Sequence, residues 1–319
     1  MMQPARDAPQ QEHTPLLGLA LAGIVILSVA ARLYGIGTES LWLDEATSLM
    51  LARMDVPTLS RWTALDIHPP LYYLLLHYWI GLGEGEAVIR GLSALAGVGN
   101  VLVIYALGRE LFDQRTGLWA ALLLAASPFH IWYCQEARMY AWVTLLISSS
   151  VLLAIKAWRG RGVATWLGYV AVSAAALYTH YYAVFGILLE NLFFIYLLVR
   201  RRVDARLLCS WILSQIAVFV LFLPWFPTFL LPITVGGGGW VAAGPGKPSI
   251  WALLHTIVLY MVGSSHGSLP MLVRRGAYAL FAGTFVLGSW PRKSQESQTA
   301  QGNTFGREHL FGEGEAVTF

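Results

Sequence analysis

Residues 16–31 read LLGLALAGIVILSVAA, an uncharged stretch closed by Arg32. A helix needs about 20 mostly apolar residues to cross the hydrocarbon core of a bilayer, and this stretch with its flanks approaches that length. It does not read as the core of a cleaved signal. Arg6 is the one arginine or lysine ahead of it, and the run is long for such a core. The whole chain of 319 residues is 56% hydrophobic and only 12% charged. A soluble domain of this size cannot hide that much apolar surface, so a lipid solvent is the simplest account.

Further apolar runs lie at 87–107, 117–133, 139–157, 163–179, 183–199 and 207–231. Three of the short links between them are basic: Gly108–Thr116 with Arg109 and Arg115, Lys156–Gly162 with Lys156, Arg159 and Arg161, and Arg200–Arg206 with four arginines. Basic links mark the cytoplasmic side. They alternate with Tyr133–Met139, Thr179–Tyr182 and Leu231–Ser249, which are therefore placed outside, with the amino terminus in the cytoplasm. Leu71–Gly83 is apolar but too short to cross. Counting it as a span would invert every later link, so it is placed on the outer surface. The expected fold is an all-α polytopic transmembrane helical bundle, with amphipathic juxtamembrane helices in a first outer loop at residues 35–86.

The bundle is expected to fill residues 1–290, with Trp251–Val262 and Ala277–Trp290 as candidate last spans. The polar residues 291–319 read as a disordered tail. The net charge of +3 is too small to indicate a nucleic-acid partner. The topology puts Cys134 and Cys209 at opposite faces, which excludes a disulfide between them. Gly236–Gly239 is followed by no Lys-Ser/Thr pair and is a loop rather than a phosphate cradle.

Candidate chemistry clusters in the outer segments. Ser40-Leu41-Trp42-Leu43-Asp44-Glu45-Ala46 opens a short helix with Ala46, Leu49 and Met50 at helical spacing. Its two acids serve either as helix-start caps or as a catalytic pair of which one side chain faces substrate, since neighbours on a helix point about 100° apart. Asp66-Ile67-His68-Pro69-Pro70 starts another helix, with His68 as a cap or as a donor near a phosphate. Glu136 and Arg138 sit at the membrane edge among aromatics, as an interfacial ion pair or with Arg138 holding a phosphate. Thr179-His180-Tyr181-Tyr182 reads as half aromatic belt and half site wall. Arg90 begins a span. Glu190 and Asn191 lie mid-span, where ionisable groups are costly and are functional suspects, although hydrogen bonds to a neighbouring helix account for Glu190 equally well.

Leu41-Trp42-Leu43-Asp44-Glu45-Ala46, then His68-Pro69-Pro70-Leu71-Tyr72-Tyr73, then Arg90, then Ser127-Pro128-Phe129-His130-Ile131-Trp132-Tyr133 running into Gln135-Glu136-Ala137-Arg138-Met139-Tyr140, resembles the GT-C fold glycosyltransferases. The nearest group is the bacterial relatives of the protein O-mannosyltransferases and of the lipid A aminoarabinose transferase. The resemblance covers roughly residues 15–235. It implies an inverting transfer of a hexose or pentose from a polyprenyl-phosphate donor to a hydroxyl of a glycan, lipid or protein acceptor, on the extracytoplasmic side of the cell membrane. It implies that Asp44 is the general base with Glu45 beside it. His68, Arg90, Glu136, Arg138 and Tyr140 are then the donor-phosphate and substrate residues. No tightly held metal is implied, although Asp44 and Glu45 have the oxygens to bind a divalent cation loosely. Members usually continue with more spans, so the polar tail reads as a truncated copy. The alternatives are a transporter or lipid flippase centred on Glu190, and an inactive fragment that only binds the lipid carrier or a partner.

Overall fold

Helix boundaries in this chain are set largely by aspartate and proline. Asp55, Asp113 and Asp204 each stand just before a helix, and each carboxylate accepts the amide three residues on at 2.7 Å. That satisfies one of the orphan donors of a first helical turn. The computed structural model describes residues 14–66 and 68–234 together with positions 276, 279 and 283. The expected last spans, the glycine run and the tail fall outside the described residues. Within them the chain is helical, with no strand. Helix α1 spans Thr14–Leu33, followed by three short helices, α2 (Leu43–Ala52), α3 (Val56–Ala64) and α4 (Leu71–Trp79). Then come α5 (Glu86–Leu111), α6 (Gln114–Ala126), α7 (Pro128–Cys134), α8 (Tyr140–Trp158), α9 (Val163–Thr179), α10 (Ala183–Val199), α11 (Ala205–Phe222) and α12 (Phe226–Thr234).

Among the described residues four segments can cross a bilayer by length and apolarity: α1, α5, α8 and the run Ala205–Leu230. The bent pair α6 and α7 makes a fifth. Helices α9 and α10 have 17 residues each, the lower end of the crossing range. The chain is a multi-pass membrane protein. Its exposed apolar side chains, such as Leu19 and Ile26 on α1 and Leu189 and Phe193 on α10, are what a lipid-facing surface requires. The expected single run at 117–133 is instead broken at Ser127-Pro128, with a 62° bend. Proline lacks the amide that would continue α6 and forces its predecessor out of the helical region. Ser127 then caps α7 by accepting the His130 amide. Arg32, buried at the end of α1, donates to the terminal carbonyls Leu124 O and Ala125 O of α6 and to His130, fastening the break.

The links gather at two ends of the bundle. At one end Glu110 pairs with Arg159 and Arg161 at 3.0 and 3.2 Å. At the other end Gln135 donates to the Tyr34 carbonyl, and the rings of His68 and His180 meet. The basic links and the segment 34–85 thus sit apart, as the charge pattern requires. Helix α4 is nine residues long, about 14 Å, and so cannot cross. It lies across this second end with Tyr72, Tyr73 and Leu76 buried, in one cluster with Leu49 and Ala52 of α2, Ile89 and Leu92 of α5, and Met139.

Between α8, α9, α10 and α11 runs a closed polar network. Glu190 accepts the Ser150 hydroxyl at 2.6 Å and the Tyr169 hydroxyl at 2.9 Å; Gln215 donates to Tyr169, Asn191 to Gln215, and Trp211 to Asn191. Both oxygens of Glu190 are engaged, as a structural tie between helices requires. Where α5 crosses α6, glycines let the backbones touch. A Cβ added at Gly117 would stand 2.6 Å from the Tyr105 carbonyl oxygen. Gly117→Ala is expected to cost about 1–3 kcal/mol through overpacking, read as a lowered melting temperature in detergent. A variant as stable as the parent would show that the two helices can separate freely.

Candidate active site

Helix α2 decides which of the adjacent acids is available. Its buried positions are Glu45, Ser48, Leu49, Leu51 and Ala52; all but Leu51 fall on the i, i+3, i+4, i+7 stripe of an amphipathic helix. Of the apolar residues at helical spacing, Leu49 is buried, whereas Ala46 and Met50 are exposed. Glu45 is therefore turned into the protein and Asp44 to its rim. The capping alternative for the acids belongs to Glu45: Trp42 is the N-cap residue, and its amide donates to Glu45 Oε2 at 3.3 Å.

Glu45 is fully buried and fully used. Oε1 accepts Arg90 Nε at 2.8 Å and the Ala137 amide at 2.8 Å, while Oε2 accepts Arg90 Nη2 at 2.7 Å and the Trp42 amide. A carboxylate offers about four lone-pair sites, and these bonds take them. Arg90 is equally spent. Besides Glu45 it donates from Nη1 to Ile36 O and Glu39 O and from Nη2 to Ser40 O. A guanidinium has five N–H donors, and all five have partners. Glu45, expected beside the catalytic base, and Arg90, expected among the substrate residues, thus staple the loop before α2, the start of α5 and the loop after α7. A cation bridging Asp44 and Glu45 would have to displace Arg90. No group of three or more metal-ligating side chains occurs among the described residues.

Asp44 differs on every count. Its side chain is 39% exposed, and its nearest cation is Arg138, at 3.7 Å from Oδ2. Arg138 is only 5% exposed, yet it is poorly partnered. Nη1 reaches the Asp44 carbonyl at a long 3.4 Å, and its buried Nε has no hydrogen-bond partner. An under-satisfied buried guanidinium is costly to maintain. Its position is fixed by the backbone, where Ser93 on α5 donates to Arg138 O at 3.0 Å and Tyr72 contacts Ser93. Tyr140 lies 5.8 Å below the guanidinium, within cation–π range. The expected Glu136–Arg138 ion pair is not made; the carboxylate partner of Arg138 is Asp44.

His68 and His180 complete the rim. Their rings pack edge to face at 5.7 Å, and His180 also meets Tyr140 at 6.0 Å. His68 does not cap α4; its Nδ1 lies 3.4 Å from Asp66. Burial, aided by His68 and Arg138, lowers His180 to about 4, so the ring is neutral at pH 7. Its Nδ1 accepts the Tyr182 amide, which leaves the proton on Nε2, free to donate. Tyr73 stands beside Arg138 and is held protonated by burial. No local pattern assigns it a role, since nothing distinguishes it from Tyr72 until α4 is docked. Asp44, His68, Arg138, Tyr140 and His180 are therefore brought together, whereas Glu45 and Arg90 form the support behind them.

Glu136 points elsewhere, into a cavity of about 80 Å³ that Glu45, Arg90, Trp42 and Trp132 also line. Burial first, then the charges of Glu45 and Asp44, push its carboxyl up to about 7 against the pull of Arg138 and Arg90. A carboxyl raised in the fold adds stability below its unfolded value and loses it as pH rises through about 7. Glu136→Gln is expected to leave the melting temperature nearly unchanged at pH 5 and to raise it at pH 8, with thermal scans at the two pH values as the check. An equal effect at both would mean that Glu136 does not titrate between them.

The family model for dolichyl-phosphate-mannose-protein mannosyltransferases matches residues 67–227, half of the chain. No curated protein matches. Among solved structures the chain is similar to ArnT from Cupriavidus metallidurans bound to undecaprenyl phosphate, with TM-score 0.59 and 17% identity, over 88% of this chain and 52% of that one. The same protein in the apo state gives TM-score 0.55 and 17% identity, over 88% and 56%. The Saccharomyces cerevisiae protein O-mannosyltransferase Pmt1–Pmt2 complex bound to the sugar donor gives TM-score 0.52 and 16% identity, over 69% and 34%. At such identities the likeness is one of fold, the GT-C fold implied by the motifs. The chain spans about half, or less, of the length of these structures.

Proposed function

The chain belongs to the dolichyl-phosphate-mannose-protein mannosyltransferase family, and from that premise we propose that it transfers a sugar from a polyprenyl-phosphate donor to an acceptor hydroxyl at the extracytoplasmic membrane face. The choice of side is supported by the basic links, which lie at the opposite end of the bundle from Asp44. The observation that carries the proposal is the contrast between two buried arginines. Arg90 has a partner for every donor, whereas Arg138 has an unpartnered Nε and otherwise meets the hydroxyls of Tyr73 and Tyr140, beside a half-exposed carboxylate. A guanidinium kept in that condition is suited to an anion that arrives with the substrate, and its planar fork fits a phosphate.

In this reading Asp44 takes the proton of the acceptor hydroxyl as its oxygen attacks the anomeric carbon. The bond to the phosphate breaks on the opposite face and the centre inverts. Arg138 stabilises the charge that grows on the leaving phosphate, with the Nε2–H of His180 and the hydroxyls of Tyr73 and Tyr140 at hand. His68 orients His180 from behind. Glu45 and Arg90 hold Asp44 and Arg138 at their spacing and touch no substrate. Undecaprenyl phosphate, which ArnT binds, and the sugar donor of the Pmt1–Pmt2 complex are the ligands whose chemistry this site suits.

The test is transfer by the purified chain in liposomes, supplied with radiolabelled polyprenyl-phosphate sugar and a membrane extract as acceptor. Arg138→Gln is expected to raise the donor KM by about 10- to 100-fold, the weight of one or two charge-assisted hydrogen bonds. A donor KM unchanged in a folded Arg138→Gln protein would remove the phosphate from this position.

A further inference from the structure

A second cavity opens at the end of the bundle away from Asp44. It has a volume of about 840 Å³ and is open to the surface, and its wall includes Trp158, Trp166, Arg201, Arg202 and Arg206. Three guanidinium groups meet one carboxylate there, that of Asp204, and Asp204 is committed to capping α11 through the Leu207 amide. No salt bridge joins Arg201, Arg202 or Arg206 to a carboxylate among the described residues, although Arg159 and Arg161 in the neighbouring link both pair with Glu110.

One further feature sets this wall apart from an ordinary basic loop. The buried indole N–H of Trp158 has no hydrogen-bond partner, although the ring itself is packed against Phe193, Phe194 and Trp211. The φ of 54° at Arg201 belongs to the left-handed cap that ends α10, where the amides of Arg201 and Arg202 donate to the carbonyls of Leu198 and Leu197; it turns the arginine link back beside Trp158. A cavity with excess positive charge, a free donor and aromatic walls, set where helices meet the membrane surface, has the chemistry to hold a phosphodiester with its hydrocarbon chains lying toward the bilayer.

We propose that this cavity binds the headgroup of an anionic phospholipid at the membrane face opposite the transferase site. Topology alone accounts for arginines in this link, but not for the unpartnered indole or for a cavity of this volume between them.

The test uses the full chain in detergent, titrated with phosphatidylglycerol, with phosphatidylcholine and with inorganic phosphate, and followed by thermal unfolding and by native mass spectrometry. Phosphatidylglycerol is expected to raise the melting temperature and to remain bound, and the other two are not. The triple variant Arg201→Gln/Arg202→Gln/Arg206→Gln is expected to weaken that binding by about tenfold or more. Trp158→Phe, which keeps the packed ring and removes the donor, is expected to weaken it by about fivefold. Equal stabilisation by phosphatidylcholine would overturn the headgroup assignment, and equal stabilisation by inorganic phosphate would overturn the lipid. Unchanged binding in both variants would move the lipid elsewhere. The readout does not involve sugar transfer, so it stands or falls apart from the catalytic proposal.

Discussion

Asp44→Asn is expected to lower the rate of sugar transfer by about 10²- to 10⁴-fold, the usual contribution of a positioned general base. Asparagine keeps the shape of the side chain and removes its capacity to take a proton. The effect should fall on kcat. Donor KM should hold or drop, because Arg138 loses the only carboxylate with which it forms a salt bridge among the described residues and is then freer for a phosphate. A purely structural Asp44 predicts a different pattern. The contact with Arg138 is long at 3.7 Å and the carboxylate is half exposed, so as an ion pair it is worth about 0–1 kcal/mol. That is too little to unfold the bundle or to suppress turnover. Initial rates at several donor concentrations, with a melting curve on the same preparation, separate the cases. Transfer at the parental rate in a folded Asp44→Asn protein would sink the base assignment.

The membrane fold was legible because bilayer chemistry writes itself in long apolar runs and basic links. The grouping of outer segments was legible for the same reason: once the basic links share one end, Asp44, His68, Arg138 and His180 must share the other. Three points were not legible. The break at Ser127-Pro128 lies inside an apolar run whose hydropathy does not fall, so only the backbone chemistry of proline announces it. The division of labour between Asp44 and Glu45 depends on which stripe of α2 is buried. Ala46 and Met50 suggest one stripe, whereas packing against α4 and the bonds to Arg90 select the one through Glu45 and Leu49. The placing of Arg90 as a staple required knowing that four separate carbonyl and carboxylate groups converge on it from 36–45, which no local pattern encodes. Glu190 could be read either way from depth alone, and the hydroxyls of Ser150 and Tyr169 supply the partners that make it a tie.

The staple gives the second large effect, this time on stability. Arg90→Ala is expected to cost about 3–5 kcal/mol, because it leaves the Glu45 carboxylate buried without a counter-charge. Glu45→Ala should cost a similar amount for the converse reason. The double variant should cost less than the sum, since neither charge is then stranded. It should still not return to the parent. Arg90 also holds the carbonyls of Ile36, Glu39 and Ser40, and Glu45 also holds the amides of Trp42 and Ala137. These backbone groups stay unpaired when both side chains are gone, which distinguishes this pair from a buried salt bridge that apolar residues can replace outright. Melting temperatures of the three variants give the cycle. Hydrogen exchange at residues 36–45 and at Ala137 should rise in all of them, because those amides lose the contacts that close them. An Arg90→Ala protein as stable as the parent but with a raised donor KM would reverse the assignment and return Arg90 to the phosphate site.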